Sequence, residues 1–313
     1  MTQVDSQTCN TLGVPLVLEV FSEEARSAPG STWIQALTPA ADPGQRSIRA
    51  LHIAEARTLR AKDLEPGFNN LFDISQMAEH IESGRLVDTI ALAELGSLCT
   101  NISDLKKHLS SLNEEVPMLS ACALSIPDTE HLRGQLLSCV APDGAILENA
   151  TPALAQLRKK AKSLHQRTRD RFEKIVHDAR IDVPLQDNFF TLRNDRYVLP
   201  IKAGSRAEVR GIIHGRSGTG ETIFIEPEEM IGANNELKLL QGEIIQEENR
   251  VIRDLCEVTL AYLPALKEAV KQSSELDGWF TIARVADHYD LEAAKSGERA
   301  NDLDLRNVRN PSL

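Results

Sequence analysis

The sequence predicts a mainly helical protein in which two long antiparallel helices carry one small β-stranded tip. Three observations predict it. Only 4% of the 313 residues are aromatic, so the core must rest on Leu, Ile, Val and Ala, the profile of a helix bundle rather than a sandwich. Two long runs, one from Thr151 and one after Pro227, repeat apolar residues every three or four positions. Between them, Thr191 to Pro227 reads as short strands and tight turns.

In chain order, residues 1–10 carry no apolar periodicity and are expected to be disordered. They also lack the basic-then-apolar pattern of a signal peptide. Residues 11–150 read as short helices forming the first part of a core. Their breaks fall at Ala28-Pro29-Gly30, Thr38-Pro39, Asp42-Pro43-Gly44, Glu65-Pro66-Gly67, Val116-Pro117 and Pro142-Asp143-Gly144. Asp42-Pro43 and Pro127-Asp128 are helix-start signals.

Thr151-Pro152, an N-cap followed by Pro at the first helical position, opens an outgoing rod over 151–183. Its seam is Leu154, Leu157, Ala161, Leu164, Thr168, Ile175 and Ala179, with Phe172 one place off. About thirty residues without a breaker make roughly 45 Å of helix. The returning rod, 228–269, carries Leu237, Leu240, Ile244, Val251, Leu255, Val258 and Tyr262. If the strands between form one tip, the two rods are antiparallel and their seams zip as a coiled coil. Residues 270–313 complete the core.

The rods differ in charge. Arg158, Lys159, Lys160, Lys162, Arg167, Arg169, Arg171, Lys174 and Arg180 dominate the first; Glu228, Glu229, Glu236, Glu243, Glu247, Glu248, Asp254 and Glu257 dominate the second. Two readings are compatible: flanking charges that specify helix pairing, or a basic strip following a phosphate backbone.

In the tip, residues 184–227, Phe189 to Leu192 and Tyr197 to Ile201 are expected strands. Arg193-Asn194-Asp195-Arg196 joins them, since Asn and Asp tolerate positive φ. A second pair, Val209 to His214 and Glu221 to Glu226, is joined by Gly215 to Gly220. That loop has the spacing of a phosphate-binding P-loop with Glu221 where the lysine belongs. A carboxylate repels phosphate, and the loop feeds a strand rather than a helix, so it reads as a flexible hairpin.

A net charge of −11 excludes a generally basic nucleic-acid binder but leaves room for a local basic surface. The candidates are Arg193, Arg196, Lys202, Arg206, Arg210 and Arg216, with His214 nearby. Arg and Lys on turns neutralise phosphates without reading bases; the bland alternative is a solvated strand edge whose charges deter aggregation. The eight histidines form neither an H-E-x-x-H motif nor paired metal-ligand spacing, and no nucleophile elbow is present, so no catalytic, cofactor or metal residue is expected. Five scattered cysteines without a C-x-x-C pair read as reduced thiols of a cytoplasmic protein. No apolar run approaches the ~18 residues that span a bilayer, so no membrane partner is expected.

Several strings carry a resemblance: Ala25 to Gly30, Leu37-Thr38-Pro39, Glu55, Thr151-Pro152-Ala153-Leu154, and Leu276-Asp277 followed by Ala283 and Ala286. The most specific are Arg193-Asn194-Asp195-Arg196-Tyr197-Val198-Leu199-Pro200, Thr222-Ile223-Phe224-Ile225-Glu226-Pro227 and Asn234-Asn235-Glu236-Leu237. Together they resemble the core, lever and clamp region of the bacterial MutS-type-two family, the recombination-suppressing branch of MutS proteins. The resemblance implies a clamp gripping branched or duplex DNA, with ribosome or rRNA engagement as a second role. It implies homodimerisation through an ATPase domain, with ATP and Mg, expected beyond Arg309-Asn310-Pro311; neither its Walker residues nor a small MutS-related nuclease domain occurs in this sequence. Asp302-Leu303-Asp304-Leu305-Arg306 is similar to a string of that nuclease domain, but more simply ends the core. The rival function is a non-catalytic helical arm binding protein partners.

Overall fold

The structure, a computed structural model, describes residues 6–40, 42–178, 184–187 and 189–292. Ala179 and Arg180 of the expected first rod lie outside them, as do the strings at 302–306 and 309–311. The chain is mainly α with one small antiparallel sheet. It divides into two compact units, residues 1–145 with 255–313, and residues 146–254. No helix among the described residues is long and apolar enough to cross a membrane.

The first unit contains α1 (Ser6–Thr11), α2 (Val14–Glu23), α3 (Ala28–Gln35), α4 (Pro43–Ala61), α5 (Ser75–Glu82), α6 (Thr89–Ser111), α7 (Pro117–Ser125) and α8 (Glu130–Cys139). Asp42 caps α4 by accepting from the Gln45 amide at 2.9 Å. α1 is a helical turn where disorder is expected. Pro29-Gly30 is also not a break: it lies in the first turn of α3, because Ser27 caps that helix and Pro is tolerated where an N–H has no partner anyway. α7 follows Val116, which offers no capping side chain; Glu55 of α4 supplies the cap instead, accepting from the amides of Met118 (3.0 Å) and Leu119 (2.8 Å).

The C-terminal part of α10 (Ile231–His288) packs in this unit. Its Phe280 meets Phe68, and Trp279 lies between Trp33 and His52 with ring centroids 4.9 and 5.0 Å away. Two glycines permit this approach. A Cβ on Gly278 would sit 2.2 Å from the Trp33 ring, and one on Gly30 would sit 2.2 Å from an Asp277 oxygen. Asp277, fully buried, accepts from the Ser27 amide (2.9 Å) and hydroxyl (2.6 Å), so the cap of α3 is anchored to α10.

α10 is one helix of 58 residues, so the expected boundary at 269/270 falls inside it. Pro264 does not interrupt it. The proline faces solvent, as does Leu260, whose carbonyl loses its partner and can be met by water.

The second unit begins with α9 (Pro152–Val176), capped by Thr151, whose hydroxyl accepts from the Leu154 amide at 3.0 Å. Then follow β1 (Thr191–Arg193), β2 (Arg196–Lys202), a 3₁₀ segment Ala203–Glu208, β3 (Gly211–Arg216), β4 (Thr222–Pro227) and the first part of α10. The sheet order is β1-β2-β4-β3, antiparallel throughout. α9 and α10 run antiparallel here: Thr151 donates to Glu247 (2.8 Å) and Arg158 pairs with Glu248 (2.7 Å) at one end, while Leu164 and Arg167 share a groove with Glu236 and Leu239 further along.

The buried stripe of α9 differs from the expected seam. Leu154, Leu164 and Thr168 belong to it, but it continues through Phe172 and Val176, while Ile175 is half-buried. The reason is the partner. Phe172 and Val176 pack on Leu199, Ile201, Ile223 and Ile225 of the sheet. On a helix of 3.6 residues per turn each step of four from Leu164 to Val176 overshoots a full turn by about 40°, so the buried stripe swings by about 120°, from Leu164 beside Leu240 of α10 to Phe172 and Val176 on the sheet, where a coiled-coil seam would repeat every 3.5.

Candidate nucleic-acid interface

The tip hairpin is closed by Asn194 (φ 51°) and Asp195 (φ 60°), with Arg193 and Arg196 in register beside them. This is the two-residue turn whose twist matches paired strands. β3 and β4 pair closely at Gly211, where a Cβ would lie 2.0 Å from the Glu226 carbonyl oxygen. The register slips between Ile213 and Gly215, and this bulge carries His214. Ser217 to Glu221 forms a hairpin loop between two strands, which is not the strand-to-helix setting of a phosphate-binding loop.

The six candidate cations do not form one patch. Arg196 is 17% exposed at its side chain and points inward. Its guanidinium donates to Glu226 Oε1 at 2.7 Å and to Asn235 Oδ1 at 2.7 Å. That commitment corrects its place among the surface candidates. Arg206 donates to the carbonyls of Val209 (3.0 Å) and Gly211 (3.3 Å), which stabilises the chain between the 3₁₀ segment and β3. Arg193 is exposed but lies over the Phe224 ring, 4.4 Å from its centroid.

Lys202, Arg210 and Arg216 are exposed. Lys202 pairs in register with Thr222 and Arg216 with Ile223, so both stand at the sheet end that carries the Ser217–Glu221 loop. Arg210 precedes Gly211, which is in register with Pro227, and so sits at the opposite end.

The residue that organises this region is not one of the cations. Glu226 is fully buried and accepts from Arg196, from Asn234 Nδ2 (2.9 Å) and, on its other oxygen, from His214 Nε2 (2.6 Å). Asn234, also fully buried, accepts from the Tyr197 amide (3.1 Å) and donates to its carbonyl (3.0 Å). A buried carboxylate is tolerated only with such a full complement of donors. Strand parity carries a signal for this, because Ile223 and Ile225 face the core, leaving Glu226 on the other face level with the Arg196 end of β2. In a count of charges along the chain, Glu226, Arg196 and His214 instead read as surface groups.

Arg193 to Pro200, Thr222 to Pro227 and Asn234 to Leu237 thus meet at one buried node. The chain is 29% identical to Endonuclease MutS2 of Anaeromyxobacter sp. (strain Fw109-5), over 98% of this chain and 39% of the relative. It is 30% identical to Endonuclease MutS2 of Solidesulfovibrio magneticus over 80% of this chain and 32% of that protein. With Endonuclease MutS2 of Geobacillus thermodenitrificans the identity is 29%, over 89% of this chain and 36% of the relative. This chain is MutS2-like. It spans 32–40% of the length of the MutS2 relatives it matches. No protein-family model matches it. The MutS2 likeness covers the helical unit and the sheet-bearing unit alike.

Proposed function

We propose that this chain is the core, lever and clamp part of a MutS2-like protein, and that its sheet grips duplex or branched nucleic acid through phosphate contacts. In this reading α9 and the first part of α10 are the levers and the four-stranded sheet is the clamp. The MutS2 relatives support a nucleic-acid role, since those proteins are named endonucleases. One structural observation carries the reading furthest: Lys202 and Arg216 stand exposed beside a glycine-containing loop, in a chain whose net charge is −11. Exposed cations at a loop can neutralise phosphates while the loop backbone approaches closely. DNA is the first partner; rRNA of a ribosome is the second, because A-form RNA also presents phosphates. ATP-driven dimer closure, where the whole protein carries it, would be transmitted to the clamp through the levers.

The test is a salt titration on duplex DNA, four-way-junction DNA and structured rRNA. Each phosphate contact contributes a log–log slope of roughly 0.9 on duplex DNA. Lys202→Ala with Arg216→Ala should lower the slope by roughly 1.8 and weaken unrelated sequences equally. Salt-insensitive or absent binding by the unaltered chain, or an unchanged slope in the variant, would remove the clamp reading and favour a protein-binding arm.

A further inference from the structure

Between α9 and the first hairpin of the sheet lies an open groove of about 580 Å³, inside the range of small-ligand sites, roughly 300–1,000 Å³. Its helix wall carries Arg169, Glu173 and His177 at steps of four, and its sheet wall Phe189, Leu192 and Tyr197. Phe189 and Leu192 are 50% and 53% exposed. Phe190 and Tyr197 also line the groove and are backed by the buried Phe172, the three ring centroids lying 5.4 to 5.7 Å apart. Tyr197 is held at both ends. Asn234 bonds its amide and its carbonyl, and its hydroxyl lies 3.2 Å from His165 Nδ1.

The charges beside the groove select its occupant. Pro152–Val176 carries eight basic and two acidic side chains, in a chain of net charge −11. Lys162, His165 and Arg169 follow one another at three- and four-residue spacing, so they share one face of α9. The bond from His165 to Tyr197 shows that this face leads to the groove. Lys162 and Arg169 are exposed and stand ~10.5 Å apart along the helix. Among the described residues Glu173 is the one acid in the groove, and Arg169 lies 3.4 Å from it, which offsets its repulsion of an anion. An apolar peptide would cover the rings but leave the basic row without a complement. A duplex would meet the row, but its base faces stay stacked on one another. An unpaired nucleotide answers both features, its phosphates following the cations while its base stacks on an aromatic ring.

We propose that this groove is a seat for an unpaired nucleobase of DNA or RNA, in which the base stacks on Phe189 beside Leu192 and Tyr197 and the flanking phosphates meet Lys162 and Arg169. The proposal rests on the nucleic-acid reading of this unit, but on other residues. Tyr197 is five residues along β2 from Lys202, ~17 Å of strand. Duplex contact and base seat therefore lie toward opposite ends of β2, as a duplex and a strand leaving it at a branch require.

Fluorescence of a single strand of about 12 nucleotides, with one 2-aminopurine among thymidines, tests it on the whole chain, because stacking quenches that base. The unaltered chain should bind the strand with quenching, and should do the same with the matching ribonucleotide strand. Phe189→Ala, at an exposed position that leaves helicity intact, should weaken binding about tenfold at unchanged salt slope and remove the quenching. Phe189→Trp should restore both. Lys162→Ala should keep the quenching and lower the log–log salt slope by roughly 0.7, the value for one phosphate on a single strand. Lys202→Ala with Arg216→Ala should lose duplex affinity yet still quench the single strand, which separates the two readings. Binding without quenching, an undiminished affinity in Phe189→Ala, or equally tight binding of a strand with abasic sites would overturn the base seat and assign Phe189 and Leu192 to a protein contact. Those results would leave the clamp standing if duplex binding stays salt-sensitive. A chain that binds no single strand overturns the base seat as well.

Discussion

Arg196 holds Glu226, a carboxylate with no exposed surface, at 2.7 Å, while His214 closes on the other oxygen at 2.6 Å. The pair joins the first hairpin to β4, and Asn235 and Asn234 add the start of α10 to the same node. A cation at the turn of an exposed hairpin therefore serves the sheet's integrity before it serves any ligand.

Replacing Arg196 by Met should destabilise the second unit by about 3–5 kcal/mol, the usual cost of stranding one member of a buried pair. Urea unfolding measures it, and Glu226→Gln, which removes the charge but keeps an acceptor for Arg196, should cost less. Normal stability in Arg196→Met combined with weakened DNA binding would instead make Arg196 a phosphate contact.

A second prediction concerns pH. His52 is buried against Trp279, its Nδ1 has no hydrogen-bond partner among the described residues, and its Nε2 lies 3.5 Å from Cys122 Sγ. Burial lowers its pKa below the usual 6.5, against the opposing influence of Glu275 and Glu55. The unfolded chain therefore binds a proton at a pH where the folded one does not. The stability His52 contributes is full above about pH 6.5 and declines as pH falls below it. Melting temperature should drop between pH 7.5 and 5, and His52→Phe, which keeps a ring on Trp279, should drop less. An equal pH dependence in both proteins would assign the effect to other groups.

How much of this was legible in the sequence depends on which force fixes each element. Asp42-Pro43 and Thr151-Pro152 announce helix starts because capping is local chemistry, and Asn194-Asp195 announces a turn because few other residues accept positive φ. Two features were hidden because their cause is long-range. The single helix through Pro264 depends on which side of the helix faces water. The inward turn of Arg196 depends on Glu226, thirty residues away and on another strand. Lys202 and Arg216 were legible as cations, but only the register of β2 and β3 against β4 brings them to the same end of the sheet.

The stripe of α9 provides the last prediction, because two neighbouring positions distinguish a coiled-coil seam from a helix packed on a sheet. On a 3.5-residue seam Ile175 would be central and Phe172 peripheral. Packed on the sheet, Phe172 is fully buried, touches the Phe190 and Tyr197 rings at 5.4 and 5.7 Å, and joins the cluster around Leu199 and Ile225. Phe172→Ala should therefore cost about 3–5 kcal/mol, within the range for deleting a buried aromatic. Ile175→Ala, at a half-buried position, should cost less than half as much. Neither change alters backbone propensity unfavourably, since Ala is the best helix former, so the difference reports packing alone. Urea midpoints at unchanged m-value measure both. A larger loss at Ile175 than at Phe172 would mean that α9 keeps the coiled-coil period to its end and that the sheet does not form its partner surface.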